Sequence, residues 1–135
     1  MIPADSVSYS YTQIVDQSHL DDLMHVNNVV YLKWVNDISE KHWDILAGKE
    51  LKSKYFWVVL RHELDYFREA KLDDELIIST WVGQSQGVKS VRHVEIHKKD
   101  TLLLKAASTW CLIDAKTQRP TRIKNDILRI LEPEK

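Results

Sequence analysis

Cysteine is almost missing from this chain of 135 residues: Cys111 stands alone. A disulfide within the chain is excluded, and so is any cysteine-rich zinc or iron–sulfur site. Such usage suits a reducing compartment, so a cytoplasmic location is expected. Glycine is scarce too, at Gly48, Gly83 and Gly87. Phosphate-cradling loops need clustered glycines in a fixed pattern. ATPases, GTPases and Rossmann dehydrogenases are therefore not expected. Prolines occur at Pro3, Pro120 and Pro133, and no stretch reads as a linker. The longest apolar run, Phe56 to Leu60, falls far short of the roughly 20 residues that cross a bilayer. The first residues lack the basic start and apolar run of a secretory signal, so no membrane partner is expected. Charge of one sign is also lacking, since 19 basic and 20 acidic residues leave a net charge of -1. That balance argues against nucleic acid, which needs a basic field, but leaves room for a small patch facing one phosphorylated ligand.

What is present is an ordinary globular mix, 44% hydrophobic and 29% charged. One domain over 1–135 buries roughly 65–70% of the surface its unfolded chain exposes, enough for a real core. Residues 6–15 alternate and are rich in Ser, Tyr, Val and Thr, which predicts a strand. Residues 16–27 are polar and read as a loop. The period then changes. Tyr31, Trp34, Val35, Ile38, His42 and Ile45 recur at spacings of three and four, the stripe of an amphipathic helix over 28–47. Gly48 stands where a cap glycine ends such a helix. Strands follow at 54–68, 75–83, 88–98 and 102–114. Their short connections carry Asp, Gly or Lys-Lys-Asp, which favours antiparallel hairpins. Residues 125–131 suit a short helix. One long helix cannot be covered by one strand, so the later sheet must wrap it. The fold class is α+β, a helix packed on a curved antiparallel sheet.

Chemistry concentrates between His19 and Asn28. Asp21, Asp22, Asn27 and Asn28 lie just before the helix, where its free N–H groups and dipole favour acids and amides. A carboxylate there can act as base or nucleophile, and first-turn N–H groups can bind a developing oxyanion. Acyl transfer needs both parts. The plainer reading is a loop whose polar groups only cap the helix.

Other patterns compete less well. Gly83-Gln-Ser85-Gln-Gly87 matches the G-x-S-x-G nucleophile elbow, but that motif needs a strand, a sharp turn and a helix. Strands flank it here, so a hairpin turn is expected. His93, Glu95 and His97 alternate on one strand face and could offer a metal site, although a wet or subunit-facing row is the commoner meaning. His42, on the apolar stripe, reads as a hydrogen-bonded core histidine. The five tryptophans read as core or interface rings.

Residues 21–34, Asp21 through His25-Val26-Asn27-Asn28 and Tyr31 to Trp34, resemble the signature of hotdog-fold acyl thioesterases. That group holds the 4-hydroxybenzoyl-CoA, acyl-CoA and acyl-ACP thioesterases. Leu64-Asp65-Tyr66-Phe67-Arg68-Glu69-Ala70 through Asp74, and Asp114 to Pro120, resemble the family's second strand and the end of its last. Met24 replaces the family's usual glycine, and Leu23 stands where the plant acyl-ACP enzymes carry an asparagine. The resemblance implies a hotdog fold and thioester hydrolysis. Asp21 would be the base or nucleophile and the Asn28 N–H the oxyanion donor. His25 matches a histidine that is catalytic in the plant branch and orienting elsewhere in the family. Asn27 and Tyr31 would shape the substrate site, with Asp65 or Glu69 as a second acid. Coenzyme A thioesters or acyl carrier protein would be the substrates, with Arg61, Lys89, Arg92, Lys98 and Lys99 as phosphate partners. No metal or redox cofactor is called for. Subunits of this fold pair edge to edge around a shared site, so a homodimer is implied, and dimers can pair into tetramers. The rival reading is a non-catalytic hotdog module that binds acyl-CoA as a sensor or assembly partner. A dehydratase of the same fold is disfavoured, because its histidine motif is missing near the helix.

Overall fold

Alternation along five segments builds a sheet, and one stretch of helical period supplies its cover. The computed structural model describes residues 2–132. In chain order it contains β1 (Ser8–Ile14), a 3₁₀ turn at Gln17–His19, α1 (Asn28–Lys54), β2 (Tyr55–Tyr66) and β3 (Glu75–Gln86). Then follow β4 (Lys89–Lys98), β5 (Thr101–Asp114), the two-residue β6 (Arg119–Pro120) and α2 (Asn125–Leu131). The sheet runs β1-β3-β4-β5-β2, with β6 added to β5. Every pairing is antiparallel.

The expected hairpins exist at β3–β4 and β4–β5. The step from β2 to β3 is not one. β1 already occupies that side of β3, from Ser8 opposite Trp81 to Ile14 opposite Glu75. β2 instead closes the far edge against β5, from Tyr55 opposite Asp114 to Tyr66 opposite Leu104, with a register shift between Val59 and Arg61. β2 thus ends the sheet.

The predicted stripe of α1 is buried at Tyr31, Trp34, Val35, Ile38 and His42. Ile45 departs from it and is 58% exposed. The axis breaks three residues later, at Gly48 (φ 67, ψ 173), and Ala47 turns inward instead. Gly48 ends the first helical segment as expected, but a second runs on to Lys54 and straight into β2.

Two apolar clusters fill the interior. One joins Tyr31, Trp34, Val35 and Ile38 to Ile78, Val94, Ile96 and Leu104. The other joins Val82, Leu112, Ile123, Ile127 and Leu131. Each buried aliphatic side chain contributes about 1.5–3 kcal/mol. Along α1, β3, β4 and β5 the positions between the clusters are His42, Thr80, Arg92 and Ser108, all buried. A polar belt therefore crosses the core. Among the described residues no helix is long and apolar enough to cross a membrane.

Candidate functional site

Local chemistry shapes the loop between β1 and α1. Asp16 opens it: its carboxylate accepts the Ser18 N–H at 2.8 Å, and its own N–H donates to His19 Nδ1 at 2.9 Å. Leu20 and Val26 then form a bridge that pinches residues 21–25 into a tight turn. Within it the Asp21 N–H donates to the His25 carbonyl at 2.8 Å, and the Met24 N–H to the Asp21 carbonyl at 3.0 Å. The Asp21 side chain closes the turn from inside. Its Oδ1 accepts the N–H groups of Leu23 (2.9 Å) and His25 (3.2 Å). Both bonds fall on one oxygen, which leaves Oδ2 for another partner.

Met24 takes φ 64, the left-handed conformation that glycine adopts without cost. Met24 thus takes a glycine-like conformation where the family pattern has glycine. The helix start follows three residues on. Asn27 caps α1, its side chain accepting the Val29 N–H at 3.0 Å. Asn28 is the first helical residue, and its N–H has no acceptor among the described residues. Free first-turn N–H groups form a site for negative charge.

The connection from β2 to β3 completes the site. Its Ala70 N–H donates to the Tyr31 hydroxyl at 2.9 Å, and the Ala70 carbonyl accepts the Val26 N–H at 3.2 Å. These two bonds hold Glu69 against the loop, where its Oε2 lies 3.0 Å from His25 Nδ1. Asp21, His25, Asn27, Asn28 and Glu69 are therefore brought together. Asp65 lies apart, on β2 in register with Lys105. Of the two acids offered by the sequence, Glu69 is the one beside His25.

Several expectations need correction. Tyr31 belongs to the core at 3% exposure, and its hydroxyl is spent on Ala70. Burial also pushes that phenol up. Its hydroxyl ties α1 to the connection that carries Glu69. The basic residues do not form a single phosphate patch. Arg61 pairs with Glu63 on β2 (2.7 Å) and Lys98 pairs with Asp74 (2.8 Å). Lys89 opens β4, and Lys99 lies in the turn before β5 with φ 54. Arg92 is no solvated strand residue. It shares the inward phase of Val94 and Ile96 and is 7% exposed. Its Nη1 donates to His42 Nδ1 at 2.7 Å and to Thr80 Oγ1 at 3.2 Å. His42 is thus a hydrogen-bonded core histidine. Burial, with the Arg92 charge beside it, pushes its imidazole from 6.5 down to about 4. Burial lowers the Arg92 guanidinium to about 10.

Ser85 sits near the end of β3 and pairs with the Ser90 hydroxyl across the hairpin at 2.9 Å. The expected hairpin is present, but its turn is at Gly87 and Val88, and Ser85 itself lies in the strand. His93 stacks on Trp81 with ring centroids 5.3 Å apart. Glu95 and His97 approach to 3.8 Å. No group of three metal-ligating side chains is arranged around an ion site among the described residues.

A cavity of about 280 Å³ lies toward the other end of α1, lined by Ser39, Trp43, Tyr55, Trp57, Arg92 and Trp110 among others. The sequence reading missed it, because its walls come from α1, β2, β4, β5 and α2. The one available signal was a charged residue, Arg92, in the inward phase of an apolar strand.

Comparison with known proteins adds a third line of observation. Residues 5–131 match the model of the acyl-ACP thioesterase N-terminal domain. The long-chain acyl-CoA thioesterase FadM of Escherichia coli (strain K12) is 28% identical over 124 residues, spanning 84% of this chain and 89% of that protein. Among solved structures, the probable thioesterase YbaW from Escherichia coli superposes with a TM-score of 0.78 at 27% identity, covering 91% of this chain and 96% of its own. A Staphylococcus aureus protein crystallised in complex with CoA shares the fold, with a TM-score of 0.82 at 16% identity, over 100% of this chain and 92% of its own.

Proposed function

Because the chain belongs to the acyl-ACP thioesterase N-terminal domain family, we propose that it hydrolyses acyl thioesters, with an acyl-CoA as substrate and acyl carrier protein as the alternative carrier. The hotdog architecture, one long helix on a curved antiparallel sheet, is the observed one. FadM acts on long-chain acyl-CoA, which supports the choice of carrier. The observation that carries the mechanism is the Asp21 carboxylate. One of its oxygens is held by two amides, and a helix start with an uncommitted N–H follows seven residues later.

Asp21 Oδ2 takes a proton from water as the water oxygen attacks the thioester carbonyl. The resulting oxyanion is held by the Asn28 N–H at the positive end of α1. Collapse restores the carbonyl and breaks the C–S bond. The leaving thiolate takes the proton back, which gives a free acid, a thiol and unchanged Asp21. Direct attack by Asp21 through a mixed anhydride would use the same atoms, and isotope-labelled water separates the two routes. His25, tied to Glu69, fixes the loop that aims Asp21.

The assembly reading is a homodimer along β2. That strand has twelve residues, ends the sheet, and exposes Val58, Val59 and Leu60. Open apolar edges of this length invite a second strand. Antiparallel pairing about a twofold axis would set the Tyr66 end of one copy, with its Glu69 and His25, beside the Tyr55 end of the other.

The test is thiol release from short, long and aromatic acyl-CoAs, and from an acyl carrier protein thioester, by wild type and Asp21→Asn. Loss of an acid–base group lowers the rate by about a hundredfold or more. Unchanged turnover in the variant would move the site away from Asp21. Binding without turnover in wild type would overturn hydrolysis itself.

A further inference from the structure

The cavity has aromatic walls and one buried cation, Arg92, in its lining. Trp43 and Trp57 meet edge to face at 5.6 Å, and Trp110 forms another wall. Arg92 lines it from β4. A buried guanidinium is costly unless an anion completes it. Here its Nη1 faces His42, which is neutral near pH 7, and Thr80. No ion pair joins Arg92 to a carboxylate among the described residues. Glu95, three positions along the same strand, falls on the opposite face of the sheet. The Nε–Nη2 edge of Arg92 has no protein partner among the described residues. That edge offers two parallel N–H groups, the geometry that matches both oxygens of a carboxylate. Trp110 Nε1 is a buried donor that also lacks an acceptor. Of the other charged residues that line the cavity, Asp44 pairs with Lys52 at 2.9 Å, and Glu40 keeps its charge while accepting from Asn36.

We propose that this cavity receives the far end of the substrate's acyl group, and that this end carries a carboxylate that closes on Arg92. Its place in turnover rests on the thioesterase reading and on pairing along β2. Within one copy Asn28 and Trp43 are about 22 Å apart along α1, at about 1.5 Å per residue. The paired arrangement instead sets the Asp21 loop of one copy beside Tyr55 and Trp57 of the other, which line the cavity. The preferred substrates are then monothioesters of dicarboxylic acids rather than plain alkyl chains.

Two measurements test this. The first compares kcat/KM for adipoyl-CoA and hexanoyl-CoA, which have equal chain length and differ in the terminal carboxylate. Wild type should favour adipoyl-CoA by about tenfold or more, because a donor site left unfilled penalises the analogue that lacks the acceptor. In Arg92→Gln that ratio should fall by about tenfold, mainly through KM for adipoyl-CoA. The second needs no variant. Free hexanoate and its neutral isostere hexanamide are titrated into wild type and read by the fluorescence of the cavity tryptophans. Hexanoate should bind about tenfold tighter or better. Equal affinities, or a preference for hexanoyl-CoA, would overturn the proposal while leaving thioester hydrolysis standing. Absence of any turnover together with selective hexanoate binding would overturn hydrolysis and leave the carboxylate site standing.

Discussion

His42 makes acid stability a test of the buried belt. Its ring is 2% exposed, stacks on Tyr9 at 5.7 Å and accepts from Arg92. A proton on Nδ1 would remove that acceptor and set two cations side by side. The folded imidazole therefore titrates at about 4 rather than 6.5. Between these values the unfolded chain binds a proton that the folded chain does not. Stability from this group is complete above about pH 6.5 and is lost as pH falls towards 4. The full displacement corresponds to about 3 kcal/mol. Arg92 borders an open cavity that admits water, and screening reduces the expectation to about 2 kcal/mol. His42→Gln keeps a neutral acceptor for Arg92 and removes the titration. Losing the ring stack should cost the variant about 1 kcal/mol at neutral pH. Urea unfolding of both proteins from pH 7.5 to 4.5 gives the difference directly. His62 and His93, also lowered by burial, contribute equally to both and cancel. Wild type should lose about 2 kcal/mol more than the variant over that range. Parallel curves would refute the neutral, buried assignment.

Three further outcomes follow from the site and the edge. Asp21→Asn should fold with an unchanged urea midpoint and bind substrate while losing about a hundredfold in turnover, and wild-type rates would remove Asp21 from the reaction. Met24→Gly relieves a left-handed residue whose side chain is 50% exposed. It should raise stability by about 0.5 kcal/mol, the αL penalty less the added freedom of glycine, and a lower urea midpoint would contradict the assignment. Leu60, 54% exposed on the open edge, is the place to break the proposed dimer: Leu60→Lys should sediment as a monomer without turnover, and a persistent dimer would place the interface elsewhere.

The legible parts of the fold are those where burial imposes a period. Tyr31 to His42 announce a helix because one face meets the sheet, and β3 to β5 alternate because one face meets α1. The loop chemistry at Asp21, Asn27 and Asn28 was legible for a local reason, since capping bonds join residues two to four apart. Non-local choices were hidden. Nothing in 55–66 says that its partner is β5, forty to sixty residues on, rather than β3. Glu69 and Asp65 looked alike until the Tyr31–Ala70 bond brought one of them to His25. Arg92 read as a surface cation because charge outweighs phase in a single sequence, and here phase prevailed.

The polar belt is also a seam. On one side, the cluster around Ile38 and Ile96 is clamped between the first half of α1 and the middle of the sheet. On the other, the cluster around Leu112 and Ile127 leans on α2, seven residues long, and on the short helical stretch after Gly48. Short elements with few tertiary anchors open locally at a fraction of the global unfolding cost. The cavity, with Trp43, Tyr55 and Leu131 in its wall, lies on that looser side, while Asp21 and Asn28 are tied to the tighter one. On the proposed function, the looser half would take up the ligand and the tighter half would hold the groups proposed to act on it.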